Sequence, residues 1–228
     1  IVPDPFGVQI HFKRTTEQEL DYLAEGGFKW IRMDLFWHQV ETEAGRYNFS
    51  EYDALVHSMS ERDINIIFIL DYGNLLYDHG FPPTSPEGRA AFARFAATAA
   101  YRYRDASITI IWDIWNEPNL DHFWTPQANA HDYARLALQT AGAIRRVDPS
   151  AVIAGPALAG YEWEFWRTLG EMGLFQRLDA ITVHSYGVTS PEALTQPFLT
   201  LRALIDSYSP HWRIPILSGE WGFASTEQ

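Results

Sequence analysis

Short, nearly continuous apolar runs punctuate the chain at "GVQIHF" (Gly7 to Phe12), "KWIRMDLF" (Lys29 to Phe36), "INIIFIL" (Ile64 to Leu70), "ITIIWDIW" (Ile108 to Trp115), "AVIAGP" (Ala151 to Pro156), "DAITVHS" (Asp179 to Ser185) and "IPILSG" (Ile214 to Gly219). Runs of this length, apolar at successive rather than alternate positions, predict strands buried on both faces. Between them, "GRAAFARFAATAAYRYR" and "HDYARLALQTAGAIRRV" repeat apolar residues at intervals of three and four, which predicts helices with one buried face. Ser85-Pro86-Glu87 and Ser190-Pro191-Glu192 each place a capping serine before a first-turn proline and an acidic residue, and Ser50 with Asp53 reads as a weaker capping box.

Strand and helix alternate seven times, a pattern that admits a doubly wound open sheet or a β/α barrel. An open nucleotide-binding sheet would carry a glycine-rich turn after its first strand, and "IHFKRTTEQEL" has none, which favours the (β/α)8 TIM barrel of the α/β class. Seven strands are visible and an eighth βα unit is not. Either the segment is truncated or another polypeptide closes the barrel. No linker divides residues 1–228, which read as one barrel domain.

Composition narrows the partners. The 228 residues are 46% hydrophobic and 15% aromatic, which fits a packed core, and the formal net charge of −12 with no basic run argues against nucleic acid and anionic membrane surfaces. No apolar stretch is long enough to span a membrane. Cysteine is absent, excluding disulfides and thiolate chemistry. Nine Trp and eleven Tyr exceed what the core needs, so some are candidates for stacking against sugar rings.

Barrel active sites form where the C-terminal ends of the strands converge. "IWNEPNL" (Ile114 to Leu120) ends an apolar run in a carboxyl group and a proline, both of which strand interiors avoid, and Pro118 is expected to stop the strand and aim Glu117 into the mouth. The seventh run likewise ends in Glu220. The second carries Arg32 and Asp34, the sixth ends in His184 and Tyr186, His11 closes the first, and Tyr72 follows the third. Two carboxyls at one mouth are what glycoside hydrolysis requires, one to protonate the leaving oxygen and one to attack the anomeric carbon or activate water.

"WDIWNEPN" and "ILSGEWGF" resemble the acid/base and nucleophile motifs of clan A retaining glycoside hydrolases, and "FWHQVETEAGRYNFSEYDALV" resembles the clan's segment after strand two. "WNEPNLDHFW" is especially similar to family 39, whereas "GEWGF" is nearer to family 5. The resemblance implies that Glu117 is the general acid and base and Glu220 the nucleophile. It further implies that Asn116 binds the sugar 2-hydroxyl, Arg32 pairs with the nucleophile, Tyr186 donates a hydrogen bond to Glu220, and His184 lines the site beside Glu117. No cofactor or metal is implied. The substrate is expected to be a β-linked polysaccharide or oligosaccharide, cut internally in view of the moderate loops, by a secreted or periplasmic enzyme.

Each assignment has a structural alternative. Glu117 could cap a helix, Glu220 could sit in a turn, and Arg32 could be a buried partner of Asp34 or Asp113. His184 and Tyr186 could be hydrogen-bonded core residues. Asp113 reads as structural, since a carboxylate inside a barrel needs a partner. Trp37, Trp124 and Trp221 are the platform candidates, with His11 and Tyr72 as further subsite residues, while Trp30, Trp163 and Trp166 read as packing. Two other functions compete. One is a non-catalytic carbohydrate-binding barrel; the other is a metal-dependent hydrolase, which would want paired ligands where "QIHF" offers one histidine.

Overall fold

The computed structural model describes residues 6–187 and 190–222. Seven parallel strands form one sheet in the order of the chain: β1 (Gly7–Gln9), β2 (Trp30–Phe36), β3 (Asn65–Asp71), β4 (Ile110–Ile114), β5 (Val152–Ala159), β6 (Ala180–His184) and β7 (Ile216–Glu220). The sheet curls into a nearly closed barrel, and among the described residues β1 and β7 do not pair. The expected (β/α)8 architecture is therefore present over seven strands.

The helices are α1 (Glu17–Glu25), α2 (Trp37–Val40), α3 (Ser50–Ser60), α4 (Pro86–Tyr103), α5 (Ala130–Val147), α6 (Trp163–Glu171) and α7 (Thr195–Tyr208). Strand residues divide by parity, because successive side chains point to opposite faces. Ile31, Met33 and Leu35 of β2, with Ile66, Phe68 and Leu70 of β3, join the main apolar core between sheet and helices. The opposite parity faces the barrel axis, where Trp30, Ile111, Ala154 and Ala180 make a small apolar floor. Above that floor lie Arg32, Asp113 and Thr182, all buried. A barrel whose floor is apolar and whose upper layer is polar directs its chemistry to one end.

The caps divide. Ser85 accepts a hydrogen bond from the Gly88 N–H at 2.9 Å, with Pro86 in the first turn of α4, as expected. Ser190 instead precedes a single 3₁₀ turn (Pro191–Leu194) that leads into α7, and its side chain makes no cap bond. Ser50 is the first residue of α3 rather than its cap. Its N–H is taken by Asn48 Oδ1 at 3.0 Å, while Asp53 turns across to Arg102 and Tyr103 of α4.

Candidate active site

Strand β4 ends at Ile114, before the expected proline, because the backbone turns at Trp115 and Glu117, both left-handed at φ 70° and 46°. Left-handed backbone at residues with a Cβ persists only where the surroundings fix it. Here they do. Trp115 N–H donates to Leu70 O at 3.1 Å and its indole N–H to Phe123 O at 3.1 Å. Glu117 N–H donates to Ala157 O at 3.1 Å, and Asn119 clasps Ala159 through both backbone groups at 2.9 and 3.0 Å. The loop that carries Glu117 is thus sewn to the end of β5.

Across the mouth, Glu220 closes β7. Arg32 reaches it from β2 through Nη1, which also donates to Gln9 Oε1 of β1 at 2.7 Å, while Nη2 donates to Asn116 Oδ1 at 2.9 Å. Arg32 Nη2 also stands 3.8 Å from Asp113, whose other oxygen accepts from the Thr182 hydroxyl at 2.9 Å. Both alternatives for Arg32 therefore coexist, since one guanidinium serves a buried structural carboxyl and a carboxyl of the mouth. Burial pushes the carboxyl of Asp113 up from its ordinary range, and Arg32 opposes that shift.

His184, fully buried at the end of β6, joins the two glutamates. With Glu117 ionised, its Nδ1–H donates to Glu117 Oε1 at 2.8 Å, and the same nitrogen lies 3.7 Å from Glu220 Oε1. One ligand-capable atom from each of Glu117, His184 and Glu220 lies within 4.8 Å of the others. Three such atoms could surround a cation, but the Arg32 guanidinium already occupies Glu220 and the imidazole already occupies Glu117, so the cluster is closed by hydrogen bonds and one ion pair. The Tyr186 hydroxyl donates to Glu220 Oε2 at 3.1 Å. Its pKa is pushed up to about 12 by burial and by the charge of Glu220, so it stays a donor through the neutral range.

Glu117, Glu220, Arg32, Asn116, Gln9 and Tyr186 line a cavity of about 870 Å³ that also takes in His11, Asp34, Tyr72, Phe123 and Trp221. The fully buried His184, expected to line the site, instead holds Glu117 without being part of the cavity wall. Of the platform candidates only Trp221, 46% exposed, faces it. Trp37 is a correction. At 0% exposure it stacks between Tyr77 and Phe95 behind the sheet, its indole N–H bonded to the buried Glu41. Trp124 is another, 1% exposed and packed edge-on against Trp115 and Tyr133. Trp30 and Trp166 are buried as expected, and Trp163 is half-buried against Tyr161. His11 lies beyond the end of β1, its side chain 75% exposed on the rim, 3.7 Å from Asp34. Tyr72 stacks on Phe123 with centroids 5.7 Å apart and forms one cavity wall.

Among the lining residues, Gln9 and Phe123 were not singled out in the sequence, and Asp34 was placed at the mouth without a role. Gln9 and Asp34 share the inward parity of Arg32 along their strands, a signal legible once Arg32 is placed inside. Phe123 sits in the loop after β4, and nothing in its sequence context marks it.

Two glutamates at the C-terminal mouth of a parallel β/α barrel suit glycoside hydrolysis, and similarity to known proteins gives the class, a glycoside hydrolase of clan A. The chain belongs to glycosyl hydrolase family 5, whose cellulase pattern matches residues 4–228. A β-xylosidase of Geobacillus stearothermophilus is 32% identical over 129 residues, 47% of this chain and 25% of that protein. The fold is shared with a GH39 enzyme from Xanthomonas axonopodis pv. citri (TM-score 0.77, 23% identity, covering 97% of this chain and 51% of that one). It is shared equally with a GH39 β-xylosidase from Caulobacter crescentus (TM-score 0.76, 24% identity, 97% and 54%). The chain spans about half the length of these structures and a quarter of the Geobacillus protein.

Proposed function

We propose that the protein is a retaining β-glycosidase in which Glu220 is the nucleophile and Glu117 the general acid and base. The observation that carries this reading is the approach of the two carboxyls, with oxygens within 4.8 Å across the mouth. Retaining enzymes hold their carboxyls about 5 to 5.5 Å apart, whereas inverting ones leave room for a water between them. In the first step Glu117 gives its proton to the glycosidic oxygen as a Glu220 oxygen bonds to the anomeric carbon and the C–O bond to the leaving group breaks. In the second, Glu117 takes a proton from water as the water oxygen displaces Glu220. Arg32 offsets the charge of Glu220 at Oε1, which leaves Oε2, held by the half-exposed Tyr186, as the attacking oxygen. Asn116 spends its carbonyl on Arg32 and one amide N–H on the Tyr72 hydroxyl, which leaves its second N–H for a substrate hydroxyl.

The substrate class is a β-linked sugar of the xylose type, which the Geobacillus relative supports. That relative also favours release of single sugars from a chain end over the internal cutting that moderate loops suggest. Incubation with 2-deoxy-2-fluoro-β-xylosyl fluoride, intact mass measurement and peptide mapping will show a stoichiometric adduct on Glu220. Glu220→Gln is expected to lose at least about 10⁴-fold in kcat. Glu117→Gln is expected to keep turnover only with leaving groups that need no proton, and activity is expected to survive a chelator. Sugar binding with neither adduct nor turnover would instead establish a carbohydrate-binding barrel.

A further inference from the structure

Asp71, the last residue of β3, is fully buried, and neither of its carboxyl oxygens accepts a hydrogen bond from any N–H or hydroxyl group. The group against it is another carboxyl, that of Asp34 on the neighbouring strand β2. A fully buried carboxyl with no donor on either oxygen and a second carboxyl beside it is held in its protonated form. Of the charged or titratable groups around Asp71, only Arg32 opposes that outcome, and it is spent elsewhere. Asp34 from β2 and Asp113 from β4 are acidic, Tyr52 of α3 and the adjacent Tyr72 bring phenols, and Arg32 is engaged with Glu220, Gln9 and Asn116. Burial first, and Asp34 second, hold the carboxyl of Asp71 well above its ordinary range.

Asp34 differs from its partner in one respect, being open to the substrate. It lines the cavity, its side chain is 13% exposed, and it stands one pleat nearer the mouth than Arg32 on the same face of β2. The exposed His11 lies 3.7 Å from its Oδ2. Among the described residues lining the cavity Arg32 is the sole arginine or lysine, against Asp34, Glu117 and Glu220.

We infer that the buried Asp71 keeps its proton, and that Asp34, the member of the pair open to the cavity, binds a hydroxyl of an uncharged sugar and turns uronic acids away. A carboxylate accepts a charge-assisted hydrogen bond from a hydroxyl but repels a second carboxylate that no free cation offsets. The inference rests on the reading of this cavity as a sugar site, and its tests do not depend on turnover.

The first test is carbon NMR of the full chain labelled at the aspartate side-chain carboxyl. One resonance is expected to keep the shift of a protonated acid at pH 7 and to vanish in Asp71→Asn. If every aspartate reports an ionised carboxyl at pH 7, the protonated Asp71 is wrong. The second test compares calorimetric binding of methyl β-xyloside and methyl β-glucuronide. The wild type is expected to prefer the xyloside at least tenfold, and Asp34→Asn to weaken xyloside binding about tenfold while narrowing the preference. Equal binding of the two sugars by the wild type, binding of neither, or an unchanged preference in folded Asp34→Asn would each overturn the binding point. Absence of a fluoro-sugar adduct with both tests positive would remove the catalytic reading alone.

Discussion

At the scale of single residues, Gly219 shows how closely the site is fitted. A Cβ there would meet His184 Nε2 at 3.0 Å, its Cδ2 at 3.1 Å and Arg32 Nε at 3.5 Å. His184 and Arg32 are both buried and bonded on their far sides, so neither can yield without disturbing Glu117 or Glu220. Gly219→Ala is expected to lower kcat at least tenfold and to cost about 1 to 3 kcal/mol of stability, the range for overpacking a filled interior. Unchanged kcat in a variant of unchanged stability would show that the imidazole has slack. Asp71 gives a residue-scale prediction of a different kind. A carboxyl raised by folding binds more protons in the native than in the unfolded state, so its contribution is fully present below its unfolded pKa near 4 and is lost as pH rises towards the native value. Relative to Asp71→Asn, which cannot titrate, the wild type is expected to lose stability from pH 4 upward, by at most about 1.4 kcal/mol per pH unit. Parallel thermal-melt profiles for the two proteins would contradict the direction.

At the scale of elements, the seven strands lie within two or three residues of their apolar runs, because burial on both faces leaves an unbroken signal. The tryptophans were less legible. Inward Arg32 and Asp34 set the parity of β2, and Trp37, continuing the outward positions of Ile31, Met33 and Leu35, follows it into α2 behind the sheet. Sequence alone shows a Trp after a strand; only the inward arginine says which way it turns. Trp124 was hidden for another reason, since the left-handed turn at Trp115 folds the next loop back over Tyr133. The correction is testable. Trp37→Phe removes the indole N–H from Glu41, a buried carboxyl that keeps Gly45 N–H at 2.6 Å and Tyr77 OH at 3.0 Å. It is expected to cost about 1 to 3 kcal/mol in urea unfolding with KM within twofold, whereas Trp221→Ala raises KM several-fold at little cost in stability. The reverse pattern would restore Trp37 as a platform.

At the scale of the molecule, the two glutamates were readable because barrel topology sends the ends of β4 and β7 to one mouth. What holds that mouth together was not readable, because it depends on contacts across the axis. β1 pairs with β2 over three residues and, among the described residues, has no ladder to β7. Arg32 spans that seam with side-chain bonds, taking Gln9 on β1, Glu220 on β7, and Asn116 and Asp113 from β4 and its loop. The residue that holds the proposed nucleophile therefore also joins the two edges of the sheet. Arg32→Met leaves Asp113 buried with only the Thr182 hydroxyl, and losing one partner of a buried ion pair costs about 3 to 5 kcal/mol. If that cost is the uncompensated charge, Asp113→Asn should destabilise the wild type yet restore at least about 1 kcal/mol to Arg32→Met, a coupling that urea unfolding of the four proteins would measure. Hydrogen exchange at Val8 and Gln9 separates the second role. Faster exchange in Arg32→Met, persisting when Asp113→Asn has recovered stability, would assign the docking of β1 to Arg32 itself. Recovery of slow exchange along with stability would make the seam a consequence of global folding instead.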